Sequence, residues 1–177
     1  MSNLAYKENY TVDDYNQWEG DWELIYGDAY ALAPSPDFGH QFVSGKIYRQ
    51  LDEKLDDCSK CHAVIEMDWQ VSEDSVVRPD SMVICYEPDE RLTKKPEIIF
   101  EVTSKTTVKR DEILKFDLYQ QEGVKYYILV YPELKKAKVY QLVDYVYRKM
   151  GDFSDEVYTF EVDGCTIDFD FNFIWRK

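Results

Sequence analysis

Apolar positions along the chain change period several times, and each change marks an element. Phe38, Phe42, Val43, Ile47, Leu51 and Leu55 recur at helical spacing. They predict a long amphipathic helix over 38–57. Trp22–Tyr26 and Ala29–Leu32 read as a hairpin around Gly27-Asp28, after a short helix from Thr11 to Trp18 with Asp13 and Asp14 in its first turn. Ala63–Val71 reads as one strand containing Trp69. Two compact apolar runs follow. Asp80–Tyr86 and Pro96–Thr103 are short, β-branched and aromatic, and a polar loop from Glu87 to Lys95 separates them. Thr106 and Thr107 are suitable N-caps for a helix with an apolar face of Ile113, Leu114, Phe116 and Leu118, and Gly123 closes it. Lys125–Tyr131, Lys138–Leu142 and Tyr145–Lys149 read as further strands, and an aromatic tail from Phe160 to Trp175 closes the core or forms an edge. The order predicts an α/β fold: a central mixed sheet flanked by helices, one of them crossing over after the strand at 96–103.

The pairing of those two runs brings chemistry together. Folded as an antiparallel pair about the loop, they place Asp80 opposite Glu101, with Cβ atoms roughly 5 Å apart. Glu101 lies among Ile98, Ile99, Phe100 and Val102, so its strand reads as buried on both faces. A buried carboxylate needs a partner, a proton or a metal. Two carboxylates in one place repel unless a cation lies between them. Mg²⁺, or Mn²⁺ in its place, accepts oxygen ligands and retains several waters. A structural salt bridge would satisfy Glu101 equally, and a solvated strand end would account for Asp80. In the next helix Asp111, Lys115 and Tyr119 are spaced by four, which makes one polar column. As a surface feature it is an ordinary ion pair. As part of the site it brings Lys115 beside Glu101, where an ammonium can orient water or offset phosphoryl charge.

Pro79-Asp80, Glu101-Val102-Thr103-Ser104, Thr107, Asp111, Lys115, Tyr119, Gly123-Val124 and Tyr126-Tyr127 form an ordered set. It resembles the Uma-two family, small endonuclease-like proteins with the PD-(D/E)xK restriction-endonuclease core. Trp22-Glu23-Leu24-Ile25-Tyr26-Gly27 and His40, following Pro34-Ser35-Pro36, extend the likeness to roughly residues 11–145. The resemblance implies a restriction-endonuclease-like fold and a Mg²⁺-dependent DNA endonuclease. Asp80 and Glu101 would hold the metal and Lys115 would serve the attacking water. The Val102 carbonyl and the early Glu23 are further candidate ligands. Glu23 as a strand-end ion-pair partner is an equal alternative. His40 is a candidate for phosphate binding or helix capping, or is a polar surface residue, and Asp111 and Tyr119 are candidate supporting residues. Two positions depart from the family pattern. Thr103 stands where the superfamily's usual Lys falls, and Tyr131 precedes Pro132 where the family often has Asp.

Composition narrows the possibilities. The chain has 177 residues, 45% hydrophobic and 16% aromatic, which suits a single endonuclease-like domain over 1–177. No apolar run spans a bilayer, and Met1–Glu8 lacks a signal-peptide core, so a cytoplasmic location and no membrane partner are expected. Net charge is −14, against the basic footprint expected of a binder of duplex DNA. A local excess of Lys94, Lys95, Lys105, Lys109 and Arg110 over Glu97 and Glu101, with Lys135, Lys136 and Lys138 nearby in sequence, offsets this beside the predicted site. Homodimerisation, a partner or a specific substrate would make up the remaining deficit. A nuclease-like fold kept as a non-catalytic interaction module for nucleic acid or protein is the alternative that the acidic charge and Thr103 favour. Cys58-Ser59-Lys60-Cys61-His62 fits the c-type haem pattern, which would demand export. Zinc would need two more ligands at suitable spacing, but Cys85 lies in a predicted core strand, Cys165 is remote and His40 is the only other histidine. The expectation is free thiols in a turn, with a redox or zinc role as the alternative. A structural disulfide is not expected in a reducing cytoplasm.

Overall fold

The computed structural model describes residues 7–32 and 34–177; most of the N-terminal segment weighed above, Met1–Tyr6, lies outside them. Thr11 caps a short helix α1 (Val12–Tyr15) through a reciprocal capping box with Asp14. Strands β1 (Trp22–Ile25) and β2 (Asp28–Ala31) form the expected hairpin, turning at Tyr26-Gly27, both with positive φ. Helix α2 (Phe38–Lys54) follows, capped by the Asp37 side chain, which accepts from the His40 N–H at 2.8 Å. Asp37, not His40, is thus the capping residue.

The predicted strand 63–71 is two strands in two different sheets. β3 (His62–Ile65) ends at Glu66, whose φ of 44° turns the chain out of the first sheet. β4 (Trp69–Ser72) then pairs with β5 (Ser75–Val77), and β5 pairs with β1. This gives a four-stranded sheet of order β2-β1-β5-β4. No Gly or Pro marks the break, because contact with the second sheet fixes it. β6 (Ser81–Ile84) and β7 (Ile98–Val102) pair antiparallel in the expected register: Ser81 faces Phe100, and Asp80 and Glu101 are the next residues beyond that last pair.

After β7 the chain crosses over through a π-helical turn (Arg110–Lys115) running into α3 (Phe116–Gln121), then enters β8 (Tyr126–Tyr131) parallel to β7. Gly123, at φ 78°, ends the helix as expected, with the Val124 N–H returning to the Tyr119 carbonyl. β9 (Lys136–Val143) and β10 (Val146–Phe153) complete a six-stranded sheet of order β10-β9-β8-β7-β6-β3. The tail forms a separate hairpin, β11 (Val157–Val162) and β12 (Cys165–Asp170), and a 3₁₀ turn, Phe171–Trp175. Among the described residues no helix is long and apolar enough to cross a membrane.

Alternation along the central strands sorts the two faces. Ile98, Phe100 and Val102 of β7, with Tyr126, Ile128 and Val130 of β8, pack against Val43, Ile47 and Leu51 of α2 and against Phe160 and Phe169 of the tail hairpin. Ile99, Tyr127 and Leu129 face the other way, toward Trp69, Met82, Leu118 and Tyr119. The Trp69 and Tyr119 rings stack at 5.9 Å. Glu101 shares the parity of Ile99, so it projects into the layer between the central sheet and α3. The aromatic tail covers the opposite face with rings 5.0 Å from Phe100 (Phe169) and 6.0 Å from it (Phe160).

The cysteines are not free thiols. Cys58 is bonded to Cys165 and Cys61 to Cys85. The physical reason is tertiary: the turn after α2 meets the start of β12, and the β3–β6 register carries Cys61 onto Cys85. Truncating Phe100 removes a fully buried ring at the junction of α2 and the tail hairpin. Phe100→Ala is expected to lower stability by about 3–5 kcal/mol, read as a drop in the urea midpoint with little change in slope.

Candidate active site

The site is built from three layers meeting at one end of the central sheet. β7 contributes Glu101, the crossover helix contributes Asp111, Lys115 and Tyr119, and β1 of the smaller sheet contributes Glu23. Lys115 Nζ lies at the centre, 2.7 Å from Glu23 Oε1, 2.9 Å from Glu101 Oε1 and 3.7 Å from Asp111 Oδ1. Its side chain is 5% exposed, so the Asp111–Lys115 pair is not the surface ion pair that spacing alone allowed. The Tyr119 hydroxyl also donates to Glu101 Oε1, at 2.8 Å. The π turn is what brings Asp111 and Lys115 to bear on one point. The Tyr127 hydroxyl fastens it by donating to the Asp111 carbonyl at 2.8 Å.

Glu23 is fully buried and doubly held. Its Oε1 accepts the Arg78 backbone N–H at 2.9 Å, and its Oε2 pairs with Arg110 at 3.3 Å. Arg110 in turn lies over the Tyr30 ring at 4.6 Å. Sequence reasoning counted Arg110 only toward a basic patch. Its position next to Asp111, at the start of the polar column, was the available signal.

Asp80 occupies the open rim. Its Oδ2 accepts the Val102 N–H at 2.7 Å, which fixes the carboxylate across the strand pair. Its Oδ1 lies 3.4 Å from His40 Nε2, in the first turn of α2. With 17% of its side chain exposed, Asp80 is the most accessible of the four carboxylates. His40 is therefore a half-buried partner of Asp80 rather than a surface residue. Its Nδ1 is buried without a hydrogen-bond partner among the described residues, as are the hydroxyls of Ser44, one turn along α2, and Ser81, next to Asp80. All contacts to Glu101 among the described residues fall on Oε1.

The charges are unbalanced. Glu23, Asp80, Glu101 and Asp111 face the fixed cations Lys115 and Arg110. Burial drives Glu101 well above the usual carboxylate range; Lys115 pulls it back, and Asp111, Asp80 and Glu23 push it up again. Burial likewise pushes Asp111 up to about 6, against Lys115 and the Thr107 hydrogen bond. Burial opposes a charged Lys115, but Glu101, Glu23 and Asp111 outweigh it and hold the amine protonated. Burial also opposes protonation of His40, and Asp80 more than offsets it. The cluster thus carries excess negative charge that a proton or a cation can relieve.

The two positions that depart from the expected pattern have other roles. Thr103 Oγ1 donates to the Val130 carbonyl at 3.0 Å, locking β7 to β8. The Tyr131 hydroxyl donates to Glu112 at 2.5 Å. The basic excess near the site is partly offset: Lys95 pairs with Glu97, Lys105 with Glu133, Lys136 with Asp152 and Lys138 with Glu112. The local positive patch expected from counting charges is therefore partly offset at the surface.

A family model described as "Uma2: Putative restriction endonuclease" matches residues 12–161. The chain belongs to the Uma2 family. Among solved structures, one described as a putative nuclease belonging to DUF820, from Anabaena variabilis ATCC 29413, superposes with a TM-score of 0.75. It is 15% identical, and the match covers 94% of this chain and 97% of that one. At that identity the likeness establishes the mixed α/β fold, as the chain's order of elements led one to expect. A search of curated protein sequences finds no match.

Replacing Lys115 tests the cluster directly. Lys115→Met leaves Glu23 and Glu101 buried without their shared ammonium, at an expected cost of about 3–5 kcal/mol near neutral pH. Loss of the amine raises the Glu101 pKa of the folded state further above its unfolded value. The folded variant then binds more protons than the unfolded chain, so its deficit grows as pH rises and shrinks toward about pH 5. Urea midpoints of the two proteins across that range measure both effects.

Proposed function

We propose that this member of the Uma2 family is a Mg²⁺- or Mn²⁺-dependent endonuclease that hydrolyses phosphodiester bonds of DNA, most simply duplex DNA. The observation that carries the reading is the Lys115 ammonium 2.9 Å from Glu101, with Asp80 at the end of the β6–β7 ladder and tied to β7 by the Val102 N–H at 2.7 Å. Two carboxylates from adjacent strands, one buried and one at the rim, are a donor set of hard oxygens that suits these ions. The fit is supported by the contacts: Glu101 uses only Oε1 in its bonds to Lys115 and Tyr119, which leaves Oε2 for a ligand. Asp80 and Glu101 would hold the ion, and the Val102 carbonyl is the further candidate ligand. A divalent cation there would acidify a bound water and offset charge on the phosphate.

Lys115 is held charged by three carboxylates, so it acts as a fixed ammonium that orients water and offsets negative charge rather than as a proton acceptor. Glu23, bonded to Lys115 and Arg110, serves in this reading to position both cations rather than as a primary ligand. Asp111 and Tyr119 keep Lys115 and Glu101 in register. His40, on Asp80 at the rim, is suited to hold a proton near the scissile phosphate. The net charge of −14 and the paired surface lysines imply weak, salt-sensitive capture of DNA unless two copies of the chain act together.

A second reading follows from the saturated contacts of Lys115 and from the same acidity: the fold serves as an interaction module without catalysis. A plasmid-nicking assay with Mg²⁺ or Mn²⁺ separates the two. Wild type is expected to nick, and Asp80→Asn, which keeps the side-chain shape, to lose activity by at least about a hundredfold. Nicking that is unchanged in Asp80→Asn would remove the mechanism. Wild type without metal-dependent nicking would favour the module.

A further inference from the structure

Three of the four cysteine sulfurs converge, and the fourth, Cys85, is bonded to one of them. Cys58 and Cys61 lie on the tight turn after α2, where the Cys61 N–H reaches the Cys58 carbonyl at 3.4 Å. Cys85 follows β6 and Cys165 opens β12. Their bonds close segments of 107 and 24 residues. Two bridges acting only as staples could sit anywhere in the fold, since each works by closing its own loop. These two share a vertex. The sulfurs of Cys58, Cys61 and Cys165, drawn from both bridges, all lie within 4.8 Å of one another, and Cys85 is bonded to Cys61. The Cys-x₂-Cys turn also divides its two sulfurs between the bridges instead of joining them.

Three sulfurs are thus clustered, and the fourth is tied to one of them. A tetrahedral zinc site has Zn–S bonds of about 2.3 Å, so its sulfurs lie about 3.8 Å apart, and reduction would free each sulfur to turn toward a shared ion. A Cys-x₂-Cys turn with two further cysteines from separate strands is a ligand set for structural zinc. The haem reading has less support, because His62 points outward and pairs with Glu87 at 3.2 Å. The two ligands that sequence distance put out of reach are supplied by the β3–β6 pairing and by the tail hairpin.

We infer that Cys58, Cys61, Cys85 and Cys165 form a structural Zn²⁺ site when reduced, and that the two disulfides are its oxidised, metal-free form. The exchange balances. A dithiol reductant gives two electrons and two protons to each disulfide and becomes a disulfide itself, so two equivalents yield four thiols. Those thiols release four protons to the solvent as their sulfurs bind Zn²⁺. Oxidation by a disulfide oxidant runs the reverse course and expels the metal. The site ties the end of α2, the β3–β6 edge and the tail hairpin together, on the α2 side of the central sheet, and is independent of the carboxylate cluster around Lys115.

The test uses the full chain, reduced anaerobically with a phosphine and titrated with Co²⁺ alone. The expected result is about one equivalent bound per chain, with the intense thiolate charge-transfer and visible d–d bands of tetrahedral sulfur-ligated cobalt, which Zn²⁺ then bleaches. Cys165→Ser should weaken Co²⁺ binding at least about tenfold and change those bands. In case that variant fails to fold, X-ray absorption of zinc-loaded wild type gives a second reading, with four sulfurs expected at about 2.3 Å. Reduced wild type that takes up no Co²⁺, or a zinc shell dominated by oxygen or nitrogen, would overturn the inference.

Discussion

The Lys115 ammonium is the contact on which the geometry of the site depends. It is the point where the two sheets and the crossover helix meet: Glu23 comes from the small sheet, Glu101 from the central sheet and Asp111 from the helix itself. An ammonium enclosed in this way is tolerated only because three carboxylates surround it. Each of those carboxylates in turn gains a buried cation from it, beside the Arg110 and Arg78 contacts of Glu23 and the Tyr119 hydrogen bond to Glu101. Hydrophobic packing of Trp69, Met82 and Tyr119 brings the layers together without specifying register. The ion cluster does, because a shift of either sheet by one residue would turn Glu23 or Glu101 away and leave the remaining charges buried and unpaired.

A cluster with more buried negative charge than fixed positive charge is a poor way to gain stability and a natural way to prepare a cation site. The raised protonation of Glu101 and Asp111 expresses that imbalance. The most exposed of the four carboxylates, Asp80, is at the rim, where a ligand can arrive, and it is oriented from one side by the Val102 N–H and from the other by His40. The unpaired His40 Nδ1, Ser44 and Ser81 hydroxyls lie on the same side of the molecule as α2 and the head of β6. Unsatisfied buried polar atoms of this kind are costly in a folded protein and concentrate where other molecules are bound.

Much of this was legible in the chain because it depends on local spacing. The loop between two apolar runs set the Asp80–Glu101 register. Spacing by four put Asp111, Lys115 and Tyr119 on one face, and Gly123 marked the end of their helix. The parts that were not legible depend on partners far away in sequence. Glu66 adopts a left-handed backbone with no Gly or Pro to announce it, because β4 is claimed by a second sheet that sequence reasoning did not anticipate. Arg110 looked like surface charge because its partner, Glu23, is 87 residues away. Cys85 and Cys165 looked unrelated to the Cys-x₂-Cys turn for the same reason. Counting charges along the chain also misjudged the surface, since Lys105, Lys136 and Lys138 meet acids that the fold brings to them, Glu133, Asp152 and Glu112.

The central claim is that Asp80 and Glu101 share one divalent cation beside Lys115. Calorimetric titration of the oxidised protein with Mn²⁺ tests it most directly, because the disulfides then leave no thiolates to compete. The account predicts a single binding event per chain in wild type that Asp80→Asn abolishes while the variant keeps the wild-type urea midpoint. Wild type that binds no Mn²⁺, or binding that is equally strong in a folded Asp80→Asn variant, would contradict it.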